Sequence, residues 1–148
     1  MPAKELRADD QLAATQTMSQ PKGNNLNRTR VLLIEDDADC RSALTALLVG
    51  DGAEIFVAEC GRTALAAAAD FIFDVVLTDL GLPDIPGDAV VRTLLATATV
   101  HPWVIVMTGF GEPQLTRARE SGADVVLQKP IDWAVLRSSF PPEQRVVG

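Results

Sequence analysis

The run Val75-Val76-Leu77-Thr78-Asp79-Leu80-Gly81-Leu82-Pro83 constrains this chain more than any other stretch. It begins as a short apolar run, which reads as a buried strand. Gly81 and Pro83 follow at once and forbid its continuation. Asp79 therefore stands where a buried strand gives way to a loop. In open parallel sheets, ligands gather at that carboxyl edge. An aspartate there also has a plain use as the cap of the following turn. On this stretch alone, both readings stand.

The rest of the chain repeats the pattern. Val31-Leu32-Leu33-Ile34 is a second apolar run, ending abruptly in Glu35-Asp36-Asp37. Cys40, Ala43, Leu44, Leu47 and Leu48 then recur at the spacing of an amphipathic helix, which Gly50 and Gly52 stop. Residues 55–58 read as a short strand, and the Ala-rich stretch 62–69 as a helix. Pro86-Gly87 opens a helix striped by Val90, Val91, Leu94, Leu95 and Ala98. A strand over 103–107 ends in Thr108-Gly109, and a polar helix over 114–121 closes at Gly122. A strand over 124–128 ends in Lys129-Pro130, and a helix over 132–140 ends at Pro141-Pro142. Alternating strands and helices imply an α/β fold, a doubly wound five-stranded parallel sheet covered on both faces. Right-handed crossovers bring the carboxyl end of every strand to one edge.

A chain of 148 residues forms one domain by the usual prior. Residues 1–28 lack periodicity and are rich in Gln, Asn, Thr and Ser, so they read as a disordered leader. A short helix over 6–15 is the one element the leader could form. The folded domain is expected over 29–140, with a short tail over 141–148 that is too small for a DNA-binding output unit. No stretch is apolar enough for a membrane span or a secretory signal, so a cytoplasmic location with no membrane partner is expected. Cys40 and Cys60 lack metal or redox spacing and read as small buried hydrophobes. A net charge of −7 argues against nucleic acid as a partner.

The carboxyl edge would then gather Glu35-Asp36-Asp37, Asp79, Thr108 and Lys129. Carboxylates crowded there repel one another, and a hard divalent cation resolves the repulsion. Mg2+ suits this oxygen-only set, taking carboxylates, waters and phosphate oxygens. A carboxylate beside Mg2+, a lysine and a threonine hydroxyl makes a phosphoryl acceptor through an aspartyl phosphate. Each residue alone has an ordinary use: Asp37 or Asp39 as a helix N-cap, and Thr108 as a strand former. Their conjunction at one edge, in order, points to chemistry.

These motifs resemble the receiver (response-regulator) domain of bacterial two-component signalling, a CheY-like family. The resemblance covers about residues 29–139. It is carried by Val31-Leu32-Leu33-Ile34-Glu35-Asp36-Asp37, Leu77-Thr78-Asp79-Leu80-Gly81-Leu82-Pro83-Asp84, Val106-Met107-Thr108-Gly109 and Gln128-Lys129-Pro130. It implies a flavodoxin-like sheet of strand order 2-1-3-4-5. Asp79 matches the phospho-accepting aspartate. Asp36 matches a direct Mg2+ ligand and Glu35 one acting through water, while the Gly81 carbonyl matches a third protein ligand. Thr108 matches the switch hydroxyl, Lys129 the lysine that pairs with the phosphoryl group, and Pro130 the proline of a cis bond.

The resemblance further implies a histidine kinase or histidine phosphotransfer protein as donor, in a signalling domain with only self-directed phosphotransfer and dephosphorylation. The donor would dock on the helix after Asp37 and the loop after Lys129. Residues 113–140 would face an output partner that the sequence does not name. Val126 stands where many receivers carry a switch aromatic, so the output change is expected to be smaller or to use another element. Gly109 leaves the mouth of the site open, so no unusually long-lived phosphoryl group is expected. An aspartyl-phosphate phosphohydrolase is disfavoured, because Glu35-Asp36-Asp37, directly after the first strand, does not offer that family's D-x-D and no cap domain fits. A binding module indifferent to phosphorylation is the other rival. His101, before Pro102, reads as a loop residue, and Trp103 and Trp133 as packing or partner contacts.

Overall fold

The computed structural model describes residues 26–141. The leader up to residue 25, with the helix expected over 6–15, and the tail from 142 lie outside the described residues. Five strands and five helices alternate: β1 (Arg30–Ile34), α1 (Ala38–Gly50), β2 (Glu54–Ala58), α2 (Gly61–Asp70), β3 (Val75–Asp79), α3 (Gly87–Thr97), β4 (Trp103–Thr108), α4 (Gln114–Glu120), β5 (Val125–Gln128) and α5 (Trp133–Ser138). The sheet is wholly parallel, in the order β2-β1-β3-β4-β5. Expected and observed elements agree to within a residue or two at most ends; α5 is the exception, a six-residue helix instead of the nine expected.

β3 lies at the centre, and all five of its residues are buried. Alternation along the strands sends Leu32, Ile34, Val76, Val104 and Val106 to one face, against Ala64 and Ala67 of α2, Val90 and Leu94 of α3 and Ala118 of α4. Val31, Leu33, Val75, Leu77, Ile105 and Met107 face the other way, against Leu44 and Leu48 of α1 and Leu136 of α5. Strands buried on both faces read as continuous apolar runs, and that is why their sequence signal was strong.

The opposite, amino-end edge of the sheet is held by two carboxylates. Asp74 accepts from the Arg30 N–H at 2.8 Å, and Asp124 from the Val104 N–H at 2.8 Å. Residues 26–28, which the sequence assigned to the leader, are also fastened here. Leu26 is buried and donates its N–H to the Asp51 carbonyl, and Arg28 donates to Gly52. α1 departs from its expected stripe. Leu44 and Leu48 are buried and Cys40 partly so, but Ala43 faces solvent and Leu47 is 41% exposed. On the α1 face of the sheet the edge strand β2 is itself open at Val57, so only a narrow line of α1 has anything to bury against. Gly50 closes α1 and Gly52 turns the chain at φ +99°, a region side chains rarely adopt.

Candidate functional site

Every strand but β2 delivers a polar group of interest to the carboxyl edge. After β1 the ladder continues one residue further, where the Glu35 N–H donates to the Ala58 carbonyl at 3.0 Å. That keeps the Glu35 side chain inside, fully buried. Asp36 turns outward, and Asp37 leaves the site to cap α1, accepting from the N–H groups of Asp39 and Cys40. The ordinary reading of Asp37 therefore holds. Asp79 ends β3, Thr108 ends β4, and Lys129 follows β5, its N–H bonded to the Thr108 carbonyl at 2.7 Å.

The side chains converge. Lys129 Nζ lies 3.2 Å from Glu35 Oε1 and 3.2 Å from Asp79 Oδ2. Asp79 Oδ1 accepts from the Gly81 N–H at 3.3 Å, and Glu35 Oε2 from the Asp37 N–H at 3.1 Å. Glu35, Asp36 and Asp79 each offer a carboxylate oxygen, all within 4.8 Å of one another. Among the described residues, these three carboxyl groups share one lysine ammonium within salt-bridge reach in a partly desolvated place. The donor set is oxygen alone, which fits a hard cation such as Mg2+. Thr108 is buried, and its Oγ1 accepts from the Phe110 N–H at 2.9 Å, so its own proton can still be donated.

Electrostatics follow the packing. Burial pushes the Glu35 carboxyl above its ordinary range, with the Asp79 charge adding to the effect; the Asp37 N–H and Lys129 pull the other way. For Lys129, burial by itself would lower the pKa. The Asp79 and Glu35 carboxylates outweigh that and raise it above the usual lysine value.

Several residues of the site carried no sequence signal. Arg41, one turn into α1, reaches back and donates Nη1 to the carbonyls of Glu35 at 3.0 Å and Asp36 at 3.3 Å. Its Nη2 lies 3.6 Å from Glu59 on the β2–α2 loop. Phe110 is half exposed, and its ring Cε2 lies 3.4 Å from where a Cβ on Gly81 would stand. Gly109 has open space around it, as expected, but the aromatic beside it covers the Gly81 side of the mouth. Val126 is half-buried in the core, and His101 is exposed in the loop before β4. The Trp103 indole donates to the Ser139 carbonyl at 2.8 Å, and the Arg137 guanidinium sits 5.9 Å over the Trp133 ring, so both tryptophans pack as expected. The bond between Lys129 and Pro130 is cis, as is that between Glu112 and Pro113.

Cys40 is only half-buried, and its apolar neighbours share it with a carboxylate. Burial and then the Glu35 charge push its thiol up to about 11. At pH 8 only about one Cys40 in a thousand would be thiolate, the form that reacts. Iodoacetamide alkylation followed by peptide mass is expected to find Cys40 at least about tenfold slower than free glutathione.

Residues 31–140 match the family model described as the response regulator receiver domain. The KDP operon transcriptional regulatory protein KdpE of Escherichia coli is 36% identical over 110 residues, covering 74% of this chain and 48% of KdpE. The DNA-binding response regulator MtrA of Mycobacterium tuberculosis is 37% identical over 103 residues, covering 70% of this chain and 45% of MtrA. The chain thus spans about half the length of the curated relatives it matches. Among solved structures, a CheY-like receiver domain protein from Methanospirillum hungatei superposes with a TM-score of 0.71 at 23% identity, covering 76% of this chain and 90% of that one.

Proposed function

Because this chain belongs to the response-regulator receiver family, we propose that it accepts a phosphoryl group on Asp79 in a Mg2+-dependent step and thereby changes its binding to a partner. The observation that carries this reading is the Lys129 ammonium bridging Glu35 and Asp79, with Asp36 completing the oxygen cluster. An Asp79 carboxylate oxygen forms the new bond to phosphorus. The bond from phosphorus to the donor, a phosphohistidine nitrogen or an acyl oxygen, breaks. Lys129 and the Gly81 N–H each hold one of the two Asp79 oxygens, so the nucleophile enters the reaction already oriented. Asp36, Asp79 and the Gly81 carbonyl would hold Mg2+ directly and Glu35 through water. Bound there, the ion would neutralise charge on the transferring group.

Thr108 would turn its hydroxyl to the modified aspartate. The gain of up to about two negative charges biases the surrounding loops. The donor would be a histidine kinase or histidine phosphotransfer protein. It would dock on α1 and the loop after Lys129; the exposure of Leu47 and Val49, 41% and 52%, with Ala43 and Ala46 open beside them, supports α1 in that role. Residues 113–140 would carry the output. The folded unit, which reaches back to the buried Leu26, would act in the cytoplasm. No described helix is long and apolar enough to cross a membrane. The net charge of −7 speaks against nucleic-acid contact by this chain itself, although KdpE and MtrA are named as a transcriptional and a DNA-binding regulator.

The test is intact mass after incubation with Mg2+ and acetyl phosphate, beside an Asp79→Asn variant. A single phosphoryl adduct is expected on the wild type, absent without Mg2+ and absent in the variant. No adduct, with no beryllofluoride binding, would turn the reading to a phosphorylation-independent binding module. The adduct is expected to decay without unusual persistence. Phe110→Ala should shorten its lifetime a few-fold by uncovering the Gly81 side, read from the decay of that mass peak.

A further inference from the structure

The β3–α3 loop carries Gly81, and its far end is fastened in an unusual way. Cys60, the N-cap residue of α2, makes no side-chain capping bond. Asp84 does the work from across the fold. Its Oδ1 accepts from the Gly61 N–H at 2.8 Å and from the Ile85 N–H at 2.8 Å, and its Oδ2 from the Arg62 N–H at 2.9 Å. Beside this cap, Ile85 sits so close to Gly61 that a Cβ there would come within 3.0 Å of the Ile85 Cβ and 2.8 Å of Val90 Cγ2. At its near end the loop is pinned by the Leu80 N–H on the Met107 carbonyl, 2.9 Å, and by the Gly87 N–H on the Leu80 carbonyl, 2.8 Å. Gly81 therefore lies on a short span between two anchors. One anchor is the sheet, and the other is the start of α2.

The neighbouring loop is joined to the same place. Arg41 grips the carbonyls of Glu35 and Asp36 and also meets Glu59, two residues before Gly61. The β2–α2 loop holds no member of the acidic cluster, yet both loops that supply the cluster are tied to it.

We infer that Asp84 is a positioning residue for the cation site, using the amino end of α2 as a fixed post that holds the Gly81 segment at the distance ligation requires. The inference rests on the function proposed above and extends it to a residue outside the acidic cluster. Groups that orient a ligand from behind typically change metal affinity by about tenfold or more when removed. An Asp84→Ala variant loses all three bonds. An Asp84→Asn variant keeps one carbonyl oxygen for Gly61 and Ile85 and loses the acceptor facing Arg62, and so guards against simple misfolding.

The experiment titrates Mg2+ into the full chain and both variants by calorimetry. It also follows the initial rate of labelling by acetyl phosphate against Mg2+ concentration and records melting temperature without Mg2+. The expected result is a Mg2+ Kd about tenfold weaker in Asp84→Ala and about threefold weaker in Asp84→Asn. The half-saturating Mg2+ for labelling should move equally, while the rate at saturating Mg2+ stays within about twofold. Melting temperatures that fall while the Mg2+ dependence stays put would overturn the inference, leaving Asp84 a purely structural cap. A loss confined to the saturated rate would also overturn it. A wild type that neither binds Mg2+ nor labels would instead bring down the proposed function, and the inference with it.

Discussion

Lys129→Ala is expected to destabilise the protein by about 2–3 kcal/mol at neutral pH without Mg2+. That is less than the roughly 3–5 kcal/mol for breaking a fully buried pair, because Lys129 is partly exposed to water. The cause is what the variant leaves behind. Glu35 is fully buried and Asp79 nearly so, and Lys129 is the cation within 4 Å of both. Without it, two carboxylates face each other with Asp36 close by. Urea unfolding is the measurement, and added Mg2+ should recover a large part of the loss if the oxygen cluster takes the ion. The sign with pH follows from the raised lysine pKa. A group whose folded pKa is raised contributes stability fully below its unfolded value and loses it as pH rises through the folded one. The gap between wild type and variant should therefore be steady from pH 7 to about 9 and close only above the ordinary lysine pKa of about 10.5. A variant as stable as wild type without Mg2+ would mean that the pair is already neutralised in another way.

Gly87→Ala should do comparable damage by a different route. The first residue of α3 is pressed against the end of β3. A Cβ there would strike the Asp79 carbonyl oxygen and lie 2.7 Å from Leu80 Cα, both of them backbone. Backbone cannot rotate aside as a side chain can, so α3 or the end of β3 must move. A cost of about 3 kcal/mol is expected, at the upper end for one added methyl group. That corresponds to a fall of about 10 °C in melting temperature for a chain of this size. The residue displaced is the proposed phosphoacceptor, so labelling by acetyl phosphate should slow by at least about tenfold. Gly109→Ala is the control. Its Cβ would meet nothing within 4 Å, and stability should be unchanged to within about 0.5 kcal/mol.

These two positions show where sequence reading succeeded and where it stopped. Lys129 was legible because a strand run ends in it, and strand ends in a parallel sheet share one edge. Asp79, Thr108, Glu35 and Asp36 were legible for the same reason. Gly87 was read only as the opening of a helix. Its closeness to Asp79 depends on how α3 meets the sheet, which no local pattern encodes. Asp84 was part of a recognised motif, but its bonds to Gly61 and Arg62 cross more than twenty residues of chain and leave no periodic trace. Arg41 left no signal, because a single arginine on a helix does not show which backbone carbonyls it reaches. The α1 stripe was over-read, since spacing shows that a face exists but not how much sheet lies beneath it. The apolar sequence neighbours of Cys40 mark it as a small hydrophobe, whereas its acidity is lowered by burial and then by the Glu35 carboxylate at the end of β1.

The carboxylates of Asp74 and Asp124 bear on how such a domain can change shape at all. Asp74 precedes β3 and grips the first amide of β1, and Asp124 precedes β5 and grips the second amide of β4. Parallel strands with near-uniform apolar sequences, such as Val31-Leu32-Leu33-Ile34 beside Val75-Val76-Leu77, offer little to stop one sliding along the other. A slip of one residue would turn every side chain to the wrong face. The two aspartates act as pegs against that slip at one end of the sheet. Under the proposed function, rearrangement would fall to the other end, in the loops that carry the acidic cluster, while the strands beneath them stay in register.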